Sequence, residues 1–446
     1  MTTDMTQGKP LRLIVAFAWP LLLGNVIQMA YSLADMMIVG QCLGKEALAA
    51  VGGVGSTLFV VIGFVFGITA GAGVITAQRF GAQDAEGVRR SVGTGAWTCG
   101  LIALATTLLC TLGTPLILRL LQTPAEVFPT AQTYLTILFI GTPLPVFFNF
   151  QSATLRALGD SRTPLYFLAG ASILNIALDF LFIRGFGWGV AGAAWATNTA
   201  IFTSGLTCLF AVTLRHEALH LSPRDWIPRW AMAWEQLRIA VPMGLQFSVT
   251  GLGAMVLQSA INSFGVVLMA GMTAARNVEN VACQLPIALG QAMATYSAQN
   301  YGAGKLRRVR EGVNACVRLT FISGAAFTAL TYLMAGPFIR AFLEAGAEES
   351  IAIGKQMLHI CAPFFIPLGL IFIFRNTLQG IGRSFLPMLA GVVEMILRMS
   401  VALLLIPFWG KFAVYWGDPL AWVGAAVLLL AAYGHFLWQQ RTRRAR

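Results

Sequence analysis

The chain runs to 446 residues, of which 57% are hydrophobic and only 11% charged, with a mean hydropathy of +0.73. A soluble domain carries roughly 25% charged residues, so this composition excludes a water-soluble globule and places the chain in a bilayer. The net charge of +12 does not indicate a nucleic-acid partner, because the Lys and Arg residues gather in loops that alternate along the chain.

The first ten residues are polar, and the apolar run after them lacks a small-residue cleavage site and exceeds a signal peptide's apolar region; it reads as a retained first span. Crossing a ~30 Å core takes about 20 helical residues. Twelve runs meet that length, at roughly 13–38, 47–77, 91–113, 131–155, 164–183, 190–214, 239–261, 265–298, 313–336, 356–378, 386–408 and 420–438. In the first span, Pro20 removes a backbone hydrogen bond and marks a bend, and Asp35 lies on the outer side of it. Gly67, Gly71 and Gly73 in the second span, and Gly187, Gly189 and Gly192 around the start of the sixth, permit close helix contact.

The second span ends in Ala77-Gln78-Arg79-Phe80-Gly81-Ala82-Gln83, and the eighth in Ala298-Gln299-Asn300-Tyr301-Gly302-Ala303-Gly304. Leu155-Arg156-Ala157-Leu158-Gly159-Asp160-Ser161 is answered by Leu378-Gln379-Gly380-Ile381-Gly382-Arg383-Ser384, and Pro20 by Pro242. Three landmarks with one spacing mean two copies of a unit half the chain long. The fold class expected is an all-α polytopic membrane protein, with twelve transmembrane helices in two six-helix bundles. Six spans per copy make both copies enter from one side, so a pseudo-two-fold axis along the membrane normal relates them. The domains expected are an N-terminal lobe at 1–214, a linker at 215–238 and a C-terminal lobe at 239–446. In the linker, Trp226, Trp230 and Trp234 would present one aromatic face to the headgroups from a short interfacial helix.

Twenty of the thirty Lys and Arg residues lie in the tails and even-numbered loops, six in the odd-numbered loops and four within spans. This bias puts both termini in the cytoplasm of a cell inner (plasma) membrane and makes anionic lipid at that face the electrostatic partner.

Ionisable groups inside a bilayer are costly and are functional candidates by default. In the first copy they are Asp35 and Asp179, with Asn175 four residues before Asp179 on the same helix face and Thr197 on the next span. Helical rise puts Asp35, Asp179 and Thr197 together in the outer half of the membrane. No basic residue lies inside any span of this copy; Arg184, at the outer end of the fifth span, is the nearest. Two acids, an amide and a hydroxyl without a cation hold charge poorly in a low dielectric, so the site is expected to take up a proton or to bind a sodium ion through its oxygens. The second copy holds Arg276, Glu279, Arg375, Glu394 and Arg398. Arg276 and Glu279 are three apart and Glu394 and Arg398 four apart, each pair within ion-pair reach on one helix face; this near-neutral network is either a structural lock or a coupling element.

Seven cysteines scattered in apolar runs without a CxxC spacing, and four histidines (His216, His220, His359 and His435), give neither a disulfide framework nor a metal centre. No nucleophile motif or phosphate-binding loop occurs, so neither an enzyme nor an ATP-driven pump is expected, and no cofactor beyond the coupling ion.

Tyr31-Ser32-Leu33-Ala34-Asp35-Met36-Met37-Ile38-Val39-Gly40, Asn175-Ile176-Ala177-Leu178-Asp179, Gly192-Ala193-Ala194-Trp195-Ala196-Thr197 and Gln299-Asn300-Tyr301-Gly302-Ala303-Gly304 resemble the signatures of the multidrug and toxic compound extrusion (MATE) transporters over essentially the whole chain. The similarity is greatest to the prokaryotic DinF-like branch, whose first-lobe acid, Asn/Asp pair and Thr map onto Asp35, Asn175, Asp179 and Thr197. The resemblance implies an exporter of amphipathic, often cationic drugs driven by an inward H⁺ or Na⁺ gradient, with the first helix bending at Pro20; a monomer is expected. The acids that the NorM-type branch carries on its seventh and tenth helices are replaced here by Gln246 and by Arg375 with Asn376. A flippase for a lipid-linked precursor shares the architecture and is the alternative.

Overall fold

The computed structural model describes residues 3–215, 219–343 and 346–445, so His216 and Glu217 of the linker lie outside the described residues. The described residues form helices without a single strand. The helices are α1 (Pro10–Gly53), α2 (Gly55–Gly81), α3 (Ala85–Leu120), α4 (Phe128–Ile140), α5 (Pro143–Ala157), α6 (Arg162–Asp179), α7 (Gly189–Arg215), α8 (Trp230–Asn262), α9 (Val266–Gly302), α10 (Leu306–Arg340), α11 (Glu348–Cys361), α12 (Phe365–Gly380), α13 (Phe385–Ser400), the short α14 (Ile406–Trp409) and α15 (Lys411–Val414), and α16 (Gly417–Ala445). Ten helical segments are long and apolar enough to cross a membrane, and α4 with α5, bent by 45°, makes an eleventh. The twelfth crossing is α9, whose Arg276, Asn277, Glu279, Asn280 and Gln284 lower its apolarity. All twelve expected spans are therefore helical.

The internal repeat extends to the irregularities. The α4–α5 break, followed by Pro145, is matched by a 3₁₀ turn at Ala362–Phe364 between α11 and α12, followed by Pro367. α6 widens into a π-helical turn at Phe180–Gly185, and α13 does the same at Val401–Leu405. Such turns leave backbone groups out of the regular ladder and cluster at functional positions.

Two compact units emerge, Met1–Gln7 with Ala16–Gly244 and Ala298–Gly304, and Gly8–Val15 with Leu245–Ser297 and Lys305–Arg446. In the first, α3 shows how lipid inverts the usual pattern: Leu101, Leu104, Leu108, Leu112 and Leu116 face outward, while Ser91, Thr94, Thr98, Thr106 and Thr114 are buried. Lipid solvates leucine as well as a core does, so small and hydroxyl residues make the close helix contacts. Gly67 and Gly71 of α2 press on Gly244 and Ala240 of α8, and Gly73 on Ala153 of α5; Gly187 and Gly189 instead make a turn with positive φ.

The C-terminal ends of α2 and α9 cross through a reciprocal contact: a methyl on Gly81 would overlap the Gln299 carbonyl, and one on Gly302 the Gln78 carbonyl. Repeated residues thus meet around a local two-fold relation. The segment before α1 docks beside this crossing. Met5 is fully buried, its N–H donates to Gln299 Oε1 (2.9 Å), and Asn300 Nδ2 donates to its carbonyl (3.0 Å). Gly159, at φ +83°, leaves room for the backbone of Thr3.

The connection before α8 differs from the expected interfacial helix. Trp226 lies in a turn closed by Asp225, whose carboxylate accepts from Ser222 N (2.9 Å) and Ser222 Oγ (2.7 Å), and only Trp230 and Trp234 are helical. Pro228 explains the delay, because the residue before a proline is steered away from the helical region. Trp97 Nε1 donates to the Trp226 carbonyl (2.9 Å), pinning the turn to α3, and all three linker tryptophans remain exposed.

Candidate functional site

The first unit brings together the four residues read from its sequence. Asn175 and Asp179 share the inner face of α6 and are 1% and 0% exposed, and Asp35 of α1 is 9% exposed. The carboxyl groups of Asp35 and Asp179 lie within hydrogen-bonding reach of each other. Each keeps one oxygen, Oδ1, without any partner. In one orientation Asn175 Nδ2 reaches Thr197 Oγ1 (3.3 Å); turned over, it donates to Asp179 Oδ2 (2.9 Å) and its oxygen accepts from Thr197 N (3.1 Å). The second orientation satisfies both ends of the amide and is the one adopted here.

Two tyrosines complete the site, and neither was singled out from sequence. Tyr31 precedes Asp35 by four residues on the same face of α1, and its hydroxyl hydrogen-bonds Thr197. Tyr134 of α4, 5% exposed, lies within electrostatic range of Asp35, Tyr31 and Asp179. The i, i+4 spacing from Tyr31 to Asp35 was a signal that could have found Tyr31; nothing in the sequence pattern pointed to Tyr134. Among the described residues no Lys, Arg or His pairs with either acid. Arg184 instead lies over the Phe180 ring, 5.9 Å from its centroid.

The chemistry follows from this inventory. Ionised carboxylates only accept hydrogen bonds, so two of them in contact need a proton on one or a cation between them. Asp179 is the last α-helical residue before the π-turn, so its carboxyl sits where the backbone departs from regular geometry. Pro20 lies inside α1, which runs unbroken through it; the one non-helical residue within α1 is Gly44.

The second unit holds its charges differently. Arg375 pairs with Glu394 and is 8% exposed; Arg398 Nη1 lies 3.6 Å from Glu394 Oε2, and Arg398 Nε donates to Asp418 Oδ1 (2.8 Å). Arg276 reaches Asp418 at 3.8 Å and donates to Gln258 Oε1 at 2.7 Å. Asp418, at the start of α16, ties the network together and was missed, because at a span's first turn it reads as a loop residue. Arg276 and Glu279, which share a face by spacing, are not partnered: Arg276 turns across to α8 and α16, and Glu279 is approached by the Cys361 thiol. Among the described residues no three His, Cys, Asp or Glu side chains form a metal-binding group.

Paired helical repeats with broken helices and acids inside the spans define the class, a multi-pass membrane transporter. The family model MatE matches the chain twice, over residues 20–181 and 242–404. The chain is 31% identical over 446 residues to the probable multidrug resistance protein YpnP of Bacillus subtilis (strain 168), covering 98% of this chain and 97% of that one. It is 28% identical to the probable multidrug resistance protein YoeA of the same organism, covering 99% and 97%. A crystal structure of MATE in the bent conformation superposes with a TM-score of 0.92 at 22% identity, over 100% of both chains. The chain belongs to the MATE family of multidrug efflux transporters, whose members are transporters and not enzymes.

Proposed function

We propose that this protein exports amphipathic, often cationic drug-like compounds in exchange for protons by alternating access, with Asp35 and Asp179 as the exchanging site. The observation that carries this reading is the closeness of two buried carboxyl groups that no Lys, Arg or His side chain among the described residues accompanies. Such a pair is stable with a proton or a sodium ion and unstable without either, so its occupancy can be linked to conformation. Coupling arises only if the ion favours one conformation over the other. Asn175 and Thr197 orient the Asp179 carboxyl, and Tyr31 ties Thr197 to α1. Bending of α1 at Pro20, through which the helix runs unbroken here, is the movement by which α1 responds.

A proton is preferred to sodium because carboxyl–carboxyl contact accommodates a shared proton directly. The lipid-linked-precursor flippase is not favoured, since acids in the first unit suit a cationic cargo and the relatives carry multidrug names. In this reading the protein acts as a monomer in the cell inner (plasma) membrane with both termini in the cytoplasm, and Arg224, Arg229 and the exposed Trp230 meet anionic lipid there.

The test is made in proteoliposomes loaded with rhodamine 6G. A pH gradient is expected to drive dye movement at least about tenfold above the rate with neither gradient, a difference of ~1.4 kcal/mol, and a sodium gradient is expected to leave the rate at that level. Movement driven by sodium alone would reassign the ion, and movement indifferent to both would overturn the exchange mechanism.

A further inference from the structure

The ion pairs of the second unit form an alternating chain, Arg375–Glu394–Arg398–Asp418–Arg276. It contains three cations and two anions. Glu394 and Asp418 are each held by two arginines, so protonating either one breaks ion pairs in a low dielectric, at a cost of several kcal/mol. Glu279 is the sixth charge and lies outside the chain. It is 6% exposed, one of its oxygens has no hydrogen-bond partner, and the group nearest to donating to it is the Cys361 thiol, a weak donor that also faces the Tyr415 carbonyl at 4.0 Å.

The groups facing Glu279 come from four helices: Arg276 and Cys283 of α9, Cys361 of α11, Arg398 of α13 and Asp418 of α16. Both arginines are already committed, Arg398 to Glu394 and Asp418, and Arg276 to Asp418 and Gln258. With Glu279 ionised the network is neutral; with Glu279 protonated it carries one positive charge, and in neither state does a salt bridge break. Glu279 is itself buried, but its neighbours Arg276 and Asp418 keep side-chain exposures of 24% and 16%, more than the 9%, 5% and 7% of Arg375, Glu394 and Arg398. A purely structural lock would place its acids inside the chain, as Glu394 and Asp418 are.

We propose that Glu279 is a second proton-binding site, separate from Asp35 and Asp179, so that one transport cycle exchanges two protons for one cationic substrate. The proton leaves the Glu279 carboxyl as the cation is taken up and returns when the cation is released, with the arginine chain intact throughout. The inference rests on the proton-exchange reading of the family function, and the test separates the two.

The test counts protons released when tetraphenylphosphonium binds the purified full-length protein in weakly buffered detergent solution, read with a pH indicator. By linkage, the wild type is expected to release about two protons per bound cation, and Asp179→Asn and Glu279→Gln about one each. The double variant is expected to release none, and Glu279→Asp, which keeps a carboxyl, to match the wild type. Glu279→Gln releasing as many protons as the wild type would overturn the proposal. Should Glu279→Gln fail to elute as a single species, the wild-type count decides, and about one proton per cation overturns the second site. A full wild-type count in Asp179→Asn with loss in Glu279→Gln would instead sink the first-unit site and leave Glu279 standing.

Discussion

In the proposed mechanism Tyr31 and Asn175 help orient the acid pair, Tyr31 by way of Thr197, and each can be removed without removing a charge. Tyr31→Phe deletes one hydroxyl that bonds Thr197; a single buried hydrogen bond contributes about 1 kcal/mol. Gradient-driven efflux is expected to fall severalfold, with drug affinity unchanged in an equilibrium binding assay. Asn175→Ala removes the donor to Asp179 Oδ2 and should slow efflux by about tenfold, or ~1.4 kcal/mol; an unchanged rate would remove Asn175 from the site. At this scale the sequence was informative where charge was out of place. Asp35 and Asp179 stood out because a bilayer makes carboxylates conspicuous, and Asn175 and Thr197 came with helical spacing and resemblance. Tyr134 and Asp418 were illegible, one because an apolar aromatic in a span has no contrast, the other because a span's end looks like a loop. The partner of Arg276 was misjudged for a different reason: spacing ranks neighbours on one helix, while Gln258 and Asp418 arrive from other helices.

The crossing of α2 with α9 and the docked segment before α1 make element-scale predictions. Gly81→Val and Gly302→Val would drive a side chain into a backbone carbonyl that has no rotamer to yield, so each is expected to destabilise by about 1–3 kcal/mol in thermal unfolding. Gly53→Ala, with nothing near its Cβ position, should stay within about 0.5 kcal/mol. Asn300→Ala removes the hydrogen bond from Asn300 Nδ2 to the Met5 carbonyl; Met5→Cys is expected to resist a maleimide in the parent background and to react once Asn300→Ala is added. In the linker turn, hydrogen bonds from the Ser222 hydroxyl and backbone N–H, aided by Arg89 and Arg90, hold the Asp225 carboxyl below the usual carboxylate range. Its folded value is depressed, so its contribution is present above about pH 3.9 and lost as pH falls through the lower folded value. Trp fluorescence should report an acid loosening of the turn that Asp225→Asn shows already at neutral pH. The helices themselves were legible from apolar run length. Their breaks were less so: Pro145 and Pro367 follow the α4–α5 and α11–α12 interruptions and could have marked them, whereas nothing in residue type announced the π-turns after Asp179 and Ser400. The linker helix was misplaced because the Trp spacing was read without the veto of Pro228.

At the scale of the whole molecule, duplication gave both halves the same broken helices while divergence gave them opposite electrostatic designs. The first unit holds acids without a cation, and the second holds arginines and acids in near balance. The duplication was readable from three landmarks at one spacing, and the asymmetry from the positions of a few charges. What required three dimensions was the order in which those charges meet, which sets Glu279 apart from its neighbours. The carboxyl pair of the first unit carries the proposed exchange, and Asp179→Asn tests it most directly. In proteoliposomes, this variant is expected to bind rhodamine 6G with wild-type affinity yet to lose at least about tenfold of its pH-gradient-driven transport, ~1.4 kcal/mol. Full gradient-driven transport by Asp179→Asn would contradict the account.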